Sequence, residues 1–228
     1  MRIPKLKIQG ELRAEDVPQL MLAHGVAYQP ISCVNWPEAY PYAPRVEVAL
    51  AHTGSQLLVH YRVEENCVRA VAEKDGGRVW EDSCCELFLQ PSASYKEATP
   101  YYNIECNCAG TLLIAVGKDR HARQPASEDV MKGVLRWSSL AVGVQPLSNG
   151  RRIIPRQEGD FDWHMTLVIP ATTFFANDVI DLSGLVMRGN LYKCGDQLAV
   201  PHFLSYFPID TPQPDFHRPE FFGEVVFE

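Results

Sequence analysis

Between Val79 and Thr111 the sequence sets Glu86, Asn103, Glu105 and Asn107 into strand patterns that are otherwise apolar. In the first pattern Cys85, Leu87 and Leu89 alternate with Glu86, Phe88 and Gln90, the period of a half-buried strand. In the second, Asn103, Glu105 and Asn107 fall on one face and Ile104, Cys106 and Cys108 on the other. Asn is uncommon inside strands, so two Asn and a Glu on one face must be solvated, mutually bonded or facing a ligand. Trp80 stands at the entrance to the first strand. An aromatic plane beside amides and carboxylates is what a sugar ring requires, because its C–H face stacks on the ring while its hydroxyls need fixed donors and acceptors.

Each of these residues has a plainer use. Trp80 can cap a core, and Glu86 can pair on the surface with Arg78 or Lys74 at little energetic consequence. Lys193, His202 and Trp36 are weaker candidates, read as solvated or loop-packing side chains. A catalytic reading rests on Glu86 and Glu105 alone, since facing carboxylates at a suitable separation hydrolyse glycosides. There is no Gly-x-Ser-x-Gly, no His-Glu-x-x-His and no phosphate loop, and His, Cys and Asp are scattered without a triad.

The elements that must position these groups are short. The chain has 228 residues, 46% of them hydrophobic, which suffices for one well-cored domain over residues 1–228, with 1–30 as an N-terminal arm. Ala14–Leu22 reads as a helical turn, Arg45–His52 and Gln56–Val63 as a hairpin, and Val68–Ala72 as a further strand. Thr111–Val116, Val134–Val144, Trp163–Ile169, Leu185–Tyr192, His202–Phe207 and Gly223–Phe227 complete the strands. Lys118–Met131, the irregular Ser148–Asp160 and the proline-rich Thr211–Pro219 read as loops, and Pro170 starts a helical turn. Many short strands with turn signals predict an all-β antiparallel β-sandwich, jelly-roll-like, with long ordered loops and at most short helices.

A net charge of −7 without a basic stripe argues against nucleic-acid and anionic-membrane partners. No apolar run is long enough to span a bilayer. The seven cysteines are odd in number and fit no disulfide framework, so they read as reduced thiols. With no signal-peptide pattern at Met1–Gly10, this predicts a cytoplasmic protein, or an extracellular or periplasmic one if a leader is removed. Cys106-x-Cys108 lacks the second pair that a zinc knuckle needs.

Four stretches, Val79–Phe88, Tyr101–Asn107, Gly184–Gly195 and Asp215–Gly223, resemble in this order the family 9-like carbohydrate-binding domains, whose best-known members are attached to xylanases. The resemblance runs from about Asn35 to the end. It implies a two-sheet sandwich that clamps a terminal sugar between two aromatic walls without cleaving it. Trp80 corresponds to the first wall, Glu86 to the acid after it, Asn103 and Glu105 to a polar pair, and Arg188 and Asn190 to a later one. The second wall falls on Tyr206, where the xylanase modules carry Trp. The resemblance also implies a xylan- or cellulose-like carbohydrate ligand, glycoside hydrolases as partners, and structural calcium, for which no matching acidic cluster stands out in this sequence.

Overall fold

The computed structural model describes residues 1–8, 10–92, 99–141 and 153–228. The strands in chain order are β1 (Arg2–Ile3), β2 (Gln29–Pro30), β3 (Cys33–Val34), β4 (Arg45–His52), β5 (Gln56–Ala70), β6 (Cys84–Gln90), β7 (Tyr101–Asn107), β8 (Leu112–Gly117), β9 (Arg123–Pro125), β10 (Leu135–Ser138), β11 (Ile154–Pro170), β12 (Val186–Cys194), β13 (Phe203–Ser205) and β14 (Gly223–Phe227). Two short helices, α1 (Val17–Ala23) and α2 (Glu128–Gly133), accompany them. One sheet runs β1-β14-β12-β6-β7-β8-β9, with β13 and β3 continuing from β12; the other runs β10-β11-β5-β4-β2. Among the described strands, pairing is antiparallel except for β1 beside β14. This is the expected sandwich.

Period-two alternation decides what lies between the sheets. Cys85, Leu87, Leu89, Tyr102, Ile104 and Cys106 from the larger sheet meet Tyr61, Val63, Trp163, Met165 and Leu167 from the smaller one in the main core. The opposite face of the larger sheet carries Cys84, Phe88, Tyr101, Tyr192 and Cys194. Such a face needs a cover, and the chain supplies one. Trp36, Ile209, Phe216 and Phe222 pack onto it, and Phe216 stacks on Tyr192 at 4.1 Å between ring centroids. The Trp36 indole donates to the Thr211 carbonyl at 2.7 Å and the Tyr192 hydroxyl to the Phe216 carbonyl at 3.2 Å, tying the loop down. Trp36 is thus a loop-packing residue, as expected.

Several boundaries differ from the sequence reading. Strand β5 runs through Ala70, absorbing most of the separate strand expected at Val68–Ala72, because β11 pairs with it along almost its whole length around two register shifts. Residues 154–160, expected to be irregular, belong to β11 for the same reason; residues 142–152 lie outside the described part. The expected loop Lys118–Met131 contains β9 and the start of α2, whose cap Ser127 accepts from the Val130 amide.

The N-terminal arm is not loose. Ile3 lies in the main core, while Leu6, Val17 and Met21 cover the outer face of the smaller sheet over Ala49, Ala51, Leu58 and Val168. His60 sits fully buried on that outer face, bonded to Thr166 at 2.9 Å. Burial, then the neighbouring His164 and Arg62, lowers its pKa from 6.5 to about 3. The unfolded chain therefore binds a proton below pH 6.5 that the folded chain refuses. The stability contributed by neutral His60 is full above that pH and is lost as pH falls toward 3, by about 1.4 kcal/mol per pH unit in the intervening window. His60→Gln is expected to flatten the fall of the denaturation midpoint between pH 6.5 and 4. Parallel pH profiles for the two proteins would show that His60 titrates normally.

Candidate functional site

A cavity of about 670 Å³ opens on the outer face of the larger sheet. Its wall on the sheet is formed by Glu86 of β6, Asn103 and Glu105 of β7, Leu113 and Ala115 of β8, and Arg123 of β9. Trp80 on the 3₁₀ turn Val79–Glu81, with Cys194 and Asp196 at the end of β12, forms another side. Tyr40, Phe203 and the Gln213–His217 loop complete it. The volume is in the range of small-ligand sites.

The polar groups are held in a fixed order. Arg123 Nε donates to Asn103 Oδ1 at 2.9 Å, and its other nitrogens bond the Tyr101, Asp119 and Ala115 carbonyls. The guanidinium also lies 4.4 Å from the Tyr101 ring centroid. With its oxygen turned to Arg123, Asn103 presents its amide nitrogen to Glu105 Oε1 at 2.7 Å. The second oxygen, Glu105 Oε2, is buried without a partner on a residue that lines the cavity. Leaving such an atom unbonded is costly, so a ligand hydroxyl there would be favoured.

Glu86 and Glu105 are direct cross-strand partners. Burial, then the adjacent Cys194 and Glu105, raises the Glu86 pKa well above the ordinary carboxyl value. Burial likewise lifts Glu105 to about 7, against the pull of Asn103 and Arg123, and Asp196 to about 6. Near neutral pH Glu105, and Glu86 shifted in the same direction, offer O–H donors as well as oxygen acceptors, while Asp196, with the lower pKa, is mainly an ionised acceptor. That combination suits a neutral polyol. His217, buried near Arg123 and Arg120, falls to about 3 and stays neutral, bonded to the Tyr101 hydroxyl at 2.8 Å.

Of the residues singled out in the sequence, the fold brings Trp80, Glu86, Asn103 and Glu105 together at the cavity. It does not bring the other four there. Asn107 is fully buried and braces the Trp80 turn, donating to Asp82 Oδ2 at 2.8 Å and accepting from the Ala109 and Thr111 amides. Arg188 bonds the Phe222 and Glu220 carbonyls, and Asn190 both accepts from and donates to the Phe207 backbone, so the covering loop occupies that stretch of the face. Tyr206 packs against the main core and bonds Gln29. Alternation along β13 explains this: Leu204 and Tyr206 share the inner face, while Phe203 reaches the cavity side.

The aromatic partners of Trp80 in the cavity wall are therefore Tyr40, Phe203 and Phe216, none of them singled out for this role in the sequence. Parity counted from Leu204 identifies Phe203. Arg123, Asp196 and His217 were missed because they come from a short strand and loops with no pattern of their own.

Among the described residues, one group of three or more His, Cys, Asp and Glu side chains could converge on an ion, namely Cys84, Glu86 and Cys194. Calcium takes 6–8 oxygen ligands, so this sulfur-rich set does not fit it.

A β-sandwich with a polar cavity walled by aromatics, set on one sheet face, defines a binding module of the carbohydrate-recognising type. A sequence profile of carbohydrate-binding family 9 matches residues 15–227, and the chain belongs to that family. It is similar along its whole length to a Bacteroides uniformis protein assigned to carbohydrate binding, with 44% identity, 98% of that chain covered and a TM-score of 0.91. It shares its fold with a family 9 module from Caldicellulosiruptor kristjanssonii solved with glucose, at 11% identity, a TM-score of 0.52, and 100% and 95% of the two chains covered. The complex of such a module from the same organism with cellotriose gives the same identity and TM-score, with 94% of that chain covered. No curated protein sequence matches the chain.

Proposed function

We propose that the cavity holds the terminal sugar of a plant-type, xylan- or cellulose-like polysaccharide or oligosaccharide and does not cleave it. The observation that carries this reading is the chain of bonds from Arg123 through Asn103 to Glu105, ending beside Trp80 in a buried carboxyl oxygen without a partner. Trp80 would stack on the sugar, and Glu86, Asn103, Glu105 and Asp196 would read its hydroxyls.

Hydrolysis fits this geometry poorly. Glycosidase carboxyls flank the scissile bond, one giving a proton and the other attacking or activating water. Glu86 and Glu105 instead rise side by side from neighbouring strands of one wall. The same reading makes the protein an accessory to glycoside hydrolases in polysaccharide breakdown.

Tryptophan fluorescence titrated with xylose, glucose, xylobiose and cellobiose, with product analysis of the same samples, tests the proposal. A saturable change without new reducing ends is expected. New reducing ends would make the glutamates catalytic, and no saturation with any of the four sugars would overturn this ligand class.

A further inference from the structure

Cys84 on β6 and Cys194 on β12 are cross-strand partners, and Glu86 follows Cys84 by two residues on the same face of the sheet. One ligand atom from each lies within 4.8 Å of the others, and Cys194 Sγ is 2.9 Å from Glu86 Oε1. All three residues are buried. Two sulfurs and a carboxylate from adjacent strands are a donor set that sugar recognition does not require.

We propose that Cys84, Cys194 and Glu86 bind a zinc-type divalent ion at the wall of the cavity. Zinc bonds thiolate at about 2.3 Å and carboxylate at about 2.0–2.2 Å in a tetrahedral site, so its ligand atoms lie under 4 Å apart, and the present cluster needs only small side-chain rotations. Glu86 and Cys194 also line the cavity, as does Asp196. The fourth position is therefore open to water from the cavity, the arrangement of a site with an exchangeable ligand. Binding displaces the two thiol protons and the Glu86 carboxyl proton to solvent and changes no oxidation state. Softness of the donors selects zinc over calcium or magnesium. The inference stands apart from sugar binding, although Glu86 serves both.

The test uses the reduced, metal-free full chain titrated with Zn²⁺ against a chromophoric chelator, with Co²⁺ as the spectroscopic probe. One equivalent should bind, and Co²⁺ should show thiolate-to-metal charge-transfer absorption. Cys84→Ser and Cys194→Ser should each weaken Zn²⁺ binding by about a hundredfold or more and abolish that absorption. Cys33→Ser, which changes the half-buried thiol bonded to the Tyr206 carbonyl, should leave both intact. Should the serine variants fail to fold, X-ray absorption of the zinc-loaded wild type decides, two sulfurs at about 2.3 Å being expected. Binding that survives both serine changes, absence of binding, or a Cys84–Cys194 disulfide that persists in reductant would each overturn the assignment.

Discussion

Lys193→Met is expected to lower unfolding stability by about 3–5 kcal/mol, among the largest effects of any single substitution in this protein. Lys193 and Glu65 are fully enclosed between the sheets, Lys193 on β12 and Glu65 on β5, with Nζ 2.9 Å from Oε2. Beside this ion pair the ammonium group donates to the His202 Nε2 atom at 2.8 Å and to the Cys194 carbonyl at 3.0 Å. Burial works against the ammonium ion, but Glu65 and the neighbouring cysteines outweigh it, so the Lys193 pKa is raised. His202 is pushed well below its ordinary value by burial and then by Lys193, so it is neutral and accepts from the lysine.

Glu65 is bound on its other oxygen by the Trp163 indole at 2.7 Å and by the Ser83 hydroxyl. Removing the lysine leaves that carboxylate buried and uncompensated. A fall in Tm of roughly 10 °C should follow in a chain of this size. Glu65→Gln combined with Lys193→Met should recover most of the loss, because Gln still accepts from Trp163 and Ser83 and no charge remains. A loss below about 1 kcal/mol for the single variant, measured by denaturant unfolding, would mean that water reaches Glu65 once the lysine is gone.

Lys193 also shows what sequence can and cannot disclose. Its type suggested a solvated residue, as did that of His202, and both proved wholly buried. The error has a physical source. A strand has two faces, and alternation reveals which residues share a face but not which long-range partner neutralises a charge there. Glu65 lies 128 positions from Lys193, and nothing local to either marks the pairing.

The same limit explains the site. Cys85, Leu87 and Ile104 against Glu86, Asn103 and Glu105 were separable by period alone, and the fold followed from many such patterns. Arg188 and Asn190 do share the outer face, but the Phe207–Phe222 segment covers them, and a covering loop has no periodicity to read. Asp82 and Ser83, next to Trp80, serve as anchors: Asp82 takes bonds from Arg69, Asn107 and the Val71 and Ala72 amides, and Ser83 reaches Glu65. A motif that resembles a binding signature thus divides into two residues facing the cavity, Trp80 and Glu86, and two, Asp82 and Ser83, that hold its turn to the sandwich.

That division makes Trp80→Ala the decisive change for function. The half-buried ring lines the cavity, whereas its backbone is fixed independently: the Trp80 carbonyl accepts from the Asp196 amide at 3.2 Å and from Cys194 Sγ, and neighbouring Val79 is fully buried. Alanine keeps all of those contacts. The turn should therefore persist while the stacking plane disappears. Sugar affinity is expected to fall by about tenfold to a hundredfold, or about 1.4–2.8 kcal/mol, against a stability loss of about 1 kcal/mol for a partly exposed ring. Trp80→Phe should recover part of the affinity, since a smaller aromatic face still opposes the sugar. Because the substitution removes a fluorophore, calorimetric titration is the appropriate measurement, paired with denaturant unfolding of the same variants. If affinity and stability decline together, or if affinity is untouched while stability drops by several kcal/mol, Trp80 is a packing residue and the stacking surface must be sought among Tyr40, Phe203 and Phe216.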